Sequence, residues 1–141
     1  MRRAERGNYP IGILVLDIDY FKQYNDTYGH AAGDAVLRAV GAFLKNHTRS
    51  ADIACRYGGE EFVLVFPEAT LEDTHQRAEA LRQGVRQIEI HHNQQMLDRI
   101  TLSVGVAAFP QHGSNVETLI QAADAALYAA KSAGRDRVML A

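Results

Sequence analysis

The sequence predicts an α/β sandwich, in which helices flank one central and mostly antiparallel sheet, and three observations lead to this fold class. Residues 11–16 form one uninterrupted apolar run, as expected for a strand that is covered on both faces. Two short apolar segments meet at Gly58 and Gly59, which is typical of a β-hairpin whose glycines supply positive φ angles. Longer stretches repeat apolar residues at helical spacing. With 141 residues, we expect a single domain over residues 1–141.

Cap signals and apolar spacing justify the remaining elements. Thr70 with Asp73 resembles a capped helix start, and Ser114 with Glu117 predicts the capping box of the last helix. Alternating apolar residues predict a half-buried strand near the C-terminus. In order, the predicted elements are a strand at 11–16, helices at about 20–28 and 31–47, strands at 53–57 and 62–66, a helix from 70 to about 85, a short strand at 88–90, a polar loop at 91–95, a strand at 100–106, a helix from 114 to about 133 and a strand at 137–140.

Composition and charge exclude several classes of protein. The formal net charge is −2, from 15 basic and 17 acidic residues, which argues against binding a nucleic-acid polymer through a broad basic surface. No apolar run approaches the roughly 20 residues of a membrane-spanning helix, so we expect a cytoplasmic chain without membrane contact. Whether its parent protein is membrane-anchored stays open. Cys55 is the single cysteine, which leaves no disulfide, and its place in a strand predicts a small buried side chain.

The hairpin is the first candidate for chemistry. Glu60 and Glu61 directly follow Gly58 and Gly59, so two carboxylates lie beside a backbone that has no Cβ to keep a ligand away. Carboxylates near a phosphate usually hold a divalent cation. The structural alternative is a solvated hairpin tip, and the residues alone leave both interpretations open.

The hairpin and several other segments resemble one protein family. The segment Arg56-Tyr57-Gly58-Gly59-Glu60-Glu61-Phe62 resembles the signature of GGDEF domains, the catalytic modules of diguanylate cyclases, in its variant with Glu at the third position. Further segments resemble the family's other blocks in the expected order, over about residues 8–141: 16–22, 25–30, 33–34, 125–131 and 134–136. The resemblance implies a ferredoxin-like palm similar to that of class III nucleotide cyclases. It also implies the condensation of two GTP into cyclic di-GMP, with release of two pyrophosphates.

The resemblance also implies a metal site. Asp17, Glu60 and the backbone carbonyl of Ile18 match the positions that hold Mg²⁺ or Mn²⁺, and such an oxygen shell suits either ion. Glu60 is expected to help deprotonate the 3′-hydroxyl, directly or through metal-bound water, and the two roles stay open. Glu61 binds a second metal or only shapes the hairpin. Lys22 is expected to act beside Glu60 as a point charge on the phosphates.

Other positions match the family's substrate contacts. The helix that begins at Tyr20 and Phe21 presents free N–H groups that suit phosphate oxygens. Lys131 and Arg135 are expected to bind the β- and γ-phosphates, and their alternative is compensation of a helix dipole. Asn25 and Asp34 match the family's guanine-binding pair, in which an amide and a carboxylate complement the edge of the base. His30 either lines the pocket or caps a helix. The expected substrate-binding residues are Tyr20, Phe21, Lys22, Asn25, His30, Asp34, Gly58, Gly59, Lys131 and Arg135.

A second ligand site and a partner are also implied. Arg49 and Asp52 match, in register with the hairpin, the family's Arg-x-x-Asp site for inhibition by cyclic di-GMP. The alternative is a surface turn with a local ion pair, and a further arginine, Arg77 or Arg82, is expected to complete the site. Catalysis is expected to need a homodimer, because one domain has no nucleophile placed against its own phosphate.

Two expectations concern what the chain as a whole does. Family members normally begin with a segment Asp-x-Leu-Thr-Gly-Leu-x-Asn-Arg-Arg, which this sequence does not contain. We therefore expect a fragment of a longer regulated protein, whose upstream sensor is unknown. The alternative function is a catalytically weak GGDEF module that binds GTP or cyclic di-GMP as a sensor.

Overall fold

The computed structural model describes residues 9–141, which form one five-stranded sheet and a separate two-stranded hairpin. The strands are β1 (Ile11–Ile18), β2 (Ile53–Gly58), β3 (Glu61–Pro67), β4 (His91–His92), β5 (Gln95–Met96), β6 (Leu102–Phe109) and β7 (Arg137–Leu140). The order of strands in the five-stranded sheet is β2-β3-β1-β6-β7. The helices are α1 (Phe21–Tyr28), α2 (His30–Asn46), α3 (Leu71–Val85) and α4 (Val116–Ser132).

The central strand β1 contributes side chains to the cores on both faces of the sheet, which is why helices cover both faces. It pairs antiparallel with β3 on one side and with β6 on the other, and all eight of its residues are buried. Successive side chains of a strand point to opposite faces. Leu14 and Leu16 therefore enter a core with α2 and α3, whereas Ile13 and Val15 enter a second core under α4. A strand with two buried faces needs an uninterrupted apolar sequence, and this is what residues 11–16 provide.

The two edges of the sheet differ. β2 pairs antiparallel with β3, with an irregularity in register between Arg56 and Gly58, and all six β2 residues are exposed. β7 pairs parallel with β6. The expectation of a mostly antiparallel sheet flanked by helices is confirmed. Cys55 is exposed and not buried as expected, because β2 is an edge strand that no helix covers closely.

Three local expectations were wrong. The N-cap of α4 is Asn115, whose side chain accepts from the Thr118 N–H, so its capping box begins one residue later than Ser114. Residues 88–90 are not a strand, and the polar loop at 91–95 contains the strands β4 and β5. Asn93 and Gln94 join them with φ angles of 52° and 63°, a left-handed turn that suits a tight hairpin.

Candidate functional site

The site lies where β1 and β3 end side by side. Asp17 stands directly opposite Glu61 in the β1–β3 register, so their side chains share one face of the sheet. The Ile18 N–H donates to the carbonyl oxygen of Glu60 at 3.3 Å, which fixes the first hairpin residue after the glycines to the end of β1. Three carboxylates from two sequence segments therefore meet at one strand end, counting Asp17 and both glutamates.

Lys131 reaches this strand end from the last turn of α4. Its ammonium group forms an ion pair with the carboxylate of Asp17, of which only 9% is exposed. The ion pair does not fully compensate for the burial of the Asp17 carboxylate. Burial raises the pKa of Asp17 above its usual value, the Lys131 interaction lowers it, and the charges of Glu60 and Asp19 raise it further, with a net increase.

Glu61 experiences a similar field. Burial raises the pKa of Glu61, and the charges of Asp124 and Asp17 add to the increase. Carboxylates that repel one another in a site with little water are stabilised by binding either protons or a multivalent cation. The donor set therefore fits a divalent metal ion.

The number of protein ligands is small. Within residues 9–141, no group of three or more His, Cys, Asp or Glu side chains is arranged to hold a metal ion by itself. Mg²⁺ is commonly bound through one or two carboxylates together with substrate phosphates and water. Asp17, Glu60 and the Ile18 carbonyl are therefore the residues that would hold the ion, with Glu61 beside them.

The glycine turn leaves open space at the hairpin. Gly59 adopts a φ of 49°, whereas Gly58 is not among the glycines with positive φ, so only one of the pair was predicted correctly in this respect. A Cβ built on either glycine meets no other heavy atom within 4 Å. The Arg56 Nε donates to the Gly59 carbonyl at 2.7 Å and closes the turn. A ligand can approach this backbone directly.

The start of α1 lies on the other side of the strand end. Tyr20 is its N-cap, with a left-handed φ of 57° and no side-chain capping bond, and Phe21 is buried beneath it. Lys22 is exposed. The guanidinium carbon of Arg135 lies 4.6 Å from the centre of the Tyr20 ring, which brings a second cation to the same place.

Asn25 and Asp34 lie on neighbouring helices, α1 and α2. The Asn25 Oδ1 is buried and has no hydrogen-bond partner among the described residues. Asp34 is exposed and lines a cleft of about 260 Å³ with Arg56. His30 is the first residue of α2, but the N-cap is Gly29 and no side-chain hydrogen bond caps that end of the helix, so the capping role considered for His30 is wrong.

The Arg49–Asp52 turn lies apart from this site. The Arg49 N–H donates to the Asp52 Oδ2 at 2.7 Å, and the Arg77 Nη2 pairs with the same carboxylate at 2.5 Å. The Arg77 guanidinium also lies 3.6 Å from the centre of the Phe66 ring. Arg82 pairs elsewhere, so of the two arginines considered it is Arg77 that lies at this turn.

Asp19 is a site residue to which the sequence analysis gave no role. It is 5% exposed and accepts hydrogen bonds from the Thr101 Oγ1 and the Ser103 Oγ, both at 2.6 Å, and from the Asp136 N–H at 3.0 Å. Its carboxylate joins the end of β1, the start of β6 and the loop after α4. The available signal was a second carboxylate at the end of the apolar run, two residues beyond Asp17.

Comparison with known proteins places the chain in a family. The family model described as "Diguanylate cyclase, GGDEF domain" matches residues 1–137. Response regulator PleD of Caulobacter vibrioides is 41% identical over 141 residues, which cover 99% of this chain and 31% of PleD. The chain thus spans less than a third of that curated relative.

Solved structures agree with the fold. The GGDEF domain of DgcB from Caulobacter crescentus, in complex with c-di-GMP, matches with a TM-score of 0.91 and 38% identity over 99% of this chain and 82% of that chain. The active GGEEF domain of a diguanylate cyclase from Vibrio cholerae matches with a TM-score of 0.89 and 30% identity, over 99% and 87%. The predicted nucleotide-cyclase palm is therefore confirmed, and the chain belongs to the diguanylate cyclase GGDEF-domain family.

Proposed function

We propose that this chain is the catalytic domain of a diguanylate cyclase, which condenses two GTP molecules into cyclic di-GMP and two pyrophosphates. The observation that carries the proposal is the meeting of Asp17, Glu60 and Glu61 at one strand end with Lys131 beside them. Family membership supports the same reaction. The hairpin has the Gly-Gly-Glu-Glu-Phe sequence, and the Vibrio cholerae neighbour is described as an active GGEEF domain.

The residues around the strand end divide the work of binding. Asp17, Glu60 and the Ile18 carbonyl would hold Mg²⁺ or Mn²⁺, and such a divalent ion would neutralise phosphate charge that otherwise repels a nucleophile. Lys131 leaves Asp17 and turns to the β- and γ-phosphates with Arg135. Lys22 and the N–H groups at the start of α1, from Tyr20 and Phe21, add positive potential on the same side.

Guanine is bound between α1 and α2. The Asn25 amide donates to guanine O6 or N7, and the Asp34 carboxylate accepts from N1–H and the 2-amino group. Adenine offers the reverse pattern and leaves these polar groups unpaired.

The reaction joins two such half-sites in a homodimer. The 3′-oxygen of each GTP bonds to the α-phosphorus of the other, and the bond from that phosphorus to the β-phosphate oxygen breaks. Pyrophosphate leaves in each such step, and two steps form the two phosphodiester bonds that close the cyclic dinucleotide. Glu60 accepts the proton of the 3′-hydroxyl, either itself or through a water molecule. Alignment of the two nucleotides supplies much of the acceleration.

The test is incubation with GTP and Mg²⁺ or Mn²⁺, followed by chromatography of the nucleotides. The parent chain should form cyclic di-GMP and pyrophosphate, and Asp17→Asn and Glu60→Gln should abolish turnover while leaving the fold intact. Glu117→Gln is the matched control, because Glu117 is exposed at the opposite end of α4, and it should keep the parent rate. Near-parent turnover in Glu60→Gln overturns the assignment. GTP that binds but stays unchanged in the parent favours the sensor module instead.

We also propose that the Arg49–Asp52 turn binds cyclic di-GMP and inhibits the enzyme. A guanidinium donates two bonds to guanine O6 and N7, and a carboxylate accepts from the opposite edge. Arg77 is the additional arginine, because its guanidinium lies at the turn and pairs with Asp52. Only 3% of the Asp52 side chain is exposed, so Arg77 has to turn from this carboxylate to the ligand before guanine can bond to it. Clefts of about 680 and 230 Å³ adjoin the turn, and Arg49 lines both.

Calorimetry with cyclic di-GMP tests this second site. Arg49→Ala should weaken binding strongly, and Arg99→Ala should not, because the exposed Arg99 contacts Gln87 and lies away from the turn. Unchanged affinity in Arg49→Ala, or simple competition between GTP and cyclic di-GMP, would rule the site out.

A further inference from the structure

The loop after α4 has an unusual backbone. Gly134, Arg135 and Asp136 have consecutive φ angles of 124°, 65° and 45°. Glycine adopts such angles freely, whereas a non-glycine residue held there is strained. Two adjacent strained residues persist only where the surrounding structure fixes them, and strain of this kind concentrates at functional sites.

Asp136 is fixed from two directions. Its backbone N–H donates to the buried Asp19 at 3.0 Å, and its Oδ1 accepts from the Arg82 Nη1 at 2.6 Å. Arg82 comes from α3 and is itself held by an ion pair with Glu79, with 12% of its side chain exposed. The loop is thereby tied both to the end of β1 and to a helix on the opposite face of the sheet from α4.

These ties determine where Arg135 lies. Its backbone carries the strain, and its guanidinium stacks over the ring of Tyr20, which also has a left-handed backbone. With Arg82 or the Asp136 carboxylate removed, the loop loses its side-chain ion pair with α3 and is free to move, and the guanidinium then leaves the start of α1. Arg82 and Asp136 can in this way control the position of Arg135 without contacting a ligand themselves.

We propose that Arg82 and the Asp136 carboxylate are positioning residues, which hold Arg135 over Tyr20 and thereby set the affinity for the triphosphate group of the nucleotide. The inference rests on the proposed function, in which Arg135 binds phosphate. Its distinctive consequence is that affinity depends on the length of the phosphate chain: the ties matter for a nucleoside triphosphate and not for a monophosphate.

The experiment measures equilibrium binding of 3′-deoxy-GTP, which lacks the nucleophile, and of GMP, both with Mg²⁺. Asp136→Gly and Arg82→Ala should each weaken 3′-deoxy-GTP binding about tenfold, the effect of roughly one lost charge-assisted contact. GMP binding should stay at the parent value. Asp136→Gly is informative because glycine accepts the positive φ and keeps the backbone N–H, so the fold is preserved.

Two controls complete the design. Asp136→Asn keeps an oxygen acceptor for Arg82 and tolerates the left-handed backbone, so it should retain most of the affinity. Arg86→Ala removes an arginine of the same helix surface whose contact with Asp136 is 3.7 Å long and whose side chain is 48% exposed, and it should bind like the parent.

The outcomes separate this inference from the proposed function. Arg135→Ala is the reference: if it leaves 3′-deoxy-GTP binding unchanged, the phosphate role of Arg135 and the inference both fail, whereas turnover of GTP still decides the function. If Arg135→Ala weakens binding but Asp136→Gly and Arg82→Ala do not, only the positioning role is overturned. Equal weakening of GMP binding also overturns it, because general distortion of the site then explains the effect.

Discussion

Asn25 and Gly33 face each other across the contact between α1 and α2. A Cβ built on Gly33 would lie 1.6 Å from the Asn25 Oδ1, so even one methyl group displaces this amide. If Asn25 reads guanine, Gly33→Ala should weaken GTP binding by one to two orders of magnitude and reduce the preference for GTP over ATP. Competition binding with the two nucleotides measures both effects.

Gly41→Ala is the control for this change. Gly41 lies on the same helix, α2, and a Cβ there meets no other heavy atom within 4 Å. Its nucleotide binding should equal that of the parent chain. Parent-like selectivity in Gly33→Ala would show that Asn25 does not read the base.

Asp17 makes a prediction about pH. Its pKa is raised, chiefly by burial, so the folded chain binds this proton more tightly than the unfolded chain, in which the pKa is near 3.8. The resulting stabilisation is complete below that pH and is lost as the pH rises through the folded value. At neutral pH the ionised carboxylate therefore lowers stability, even with Lys131 beside it.

Asp17→Asn should accordingly raise the melting temperature at pH 7, although it abolishes turnover, and the gain should shrink as the pH falls toward 4. Thermal unfolding between pH 4 and 8 measures the difference, with the exposed Asp26→Asn as the control that shows little change. A variant less stable than the parent at pH 7 would mean that the Lys131 ion pair outweighs the cost of burial.

At the scale of elements, α4 crosses β6 with almost no space between the backbones. A Cβ on Gly105 would lie 1.9 Å from the Ala123 carbonyl oxygen, and backbone cannot move aside as a side chain can. Gly105→Ala should therefore lower the free energy of unfolding by about 1–3 kcal/mol, the usual cost of overpacking a core. Urea denaturation measures this loss.

The same substitution elsewhere should have the opposite sign. Gly41→Ala places its methyl group in open space on a helix, and should stabilise the chain by about 0.4–1 kcal/mol. If the two variants unfold at the same urea concentration, the close approach of α4 to β6 is not a determinant of stability.

Elements with strong local signals were predictable, and contacts between distant segments were not. β1 and the glycine hairpin were predictable because a few adjacent residues, the apolar run and the Gly-Gly pair, specify each of them. β4 and β5 were missed because a hairpin of two-residue strands depends on the left-handed angles of Asn93 and Gln94, which apolar periodicity does not report. Cys55 was predicted buried because its strand type was clear but its edge position was not.

The candidate site shows the same limit. The resemblance to the GGDEF family was enough to propose that Asp17, Glu60 and Lys131 belong to one site. It did not indicate that Lys131 pairs with Asp17, or that Asp19 bonds to Thr101 and Ser103, because these contacts depend on register across the sheet.

At the scale of the whole molecule, the proposed reaction needs two chains. In that proposal one copy holds one GTP and no nucleophile for its α-phosphate, so a monomeric sample of the chain should be weakly active. Activity per subunit should rise with protein concentration, and fusion to a dimeric coiled coil should raise it further by increasing the effective concentration. Turnover assays over a dilution series, with the mass in solution measured in parallel, test this.

A fusion to a monomeric helix of equal length is the control, and it should leave the concentration dependence unchanged. Constant turnover per subunit in a demonstrably monomeric sample would show that each chain acts alone.

The central place of β1 has a consequence for the time course of synthesis. β1 is the most continuously buried of the described strands, yet its partner β6 begins only at Leu102, and Asp19 bonds to residues 82 and 84 positions later. At roughly 5–20 residues per second, a ribosome needs several seconds to deliver that partner. During this interval β1 can pair with β3, which ends at Pro67, but the edge that faces β6 has no partner. Because unpaired strand edges favour aggregation, the order of synthesis leaves one edge of residues 11–18 vulnerable until β6 emerges.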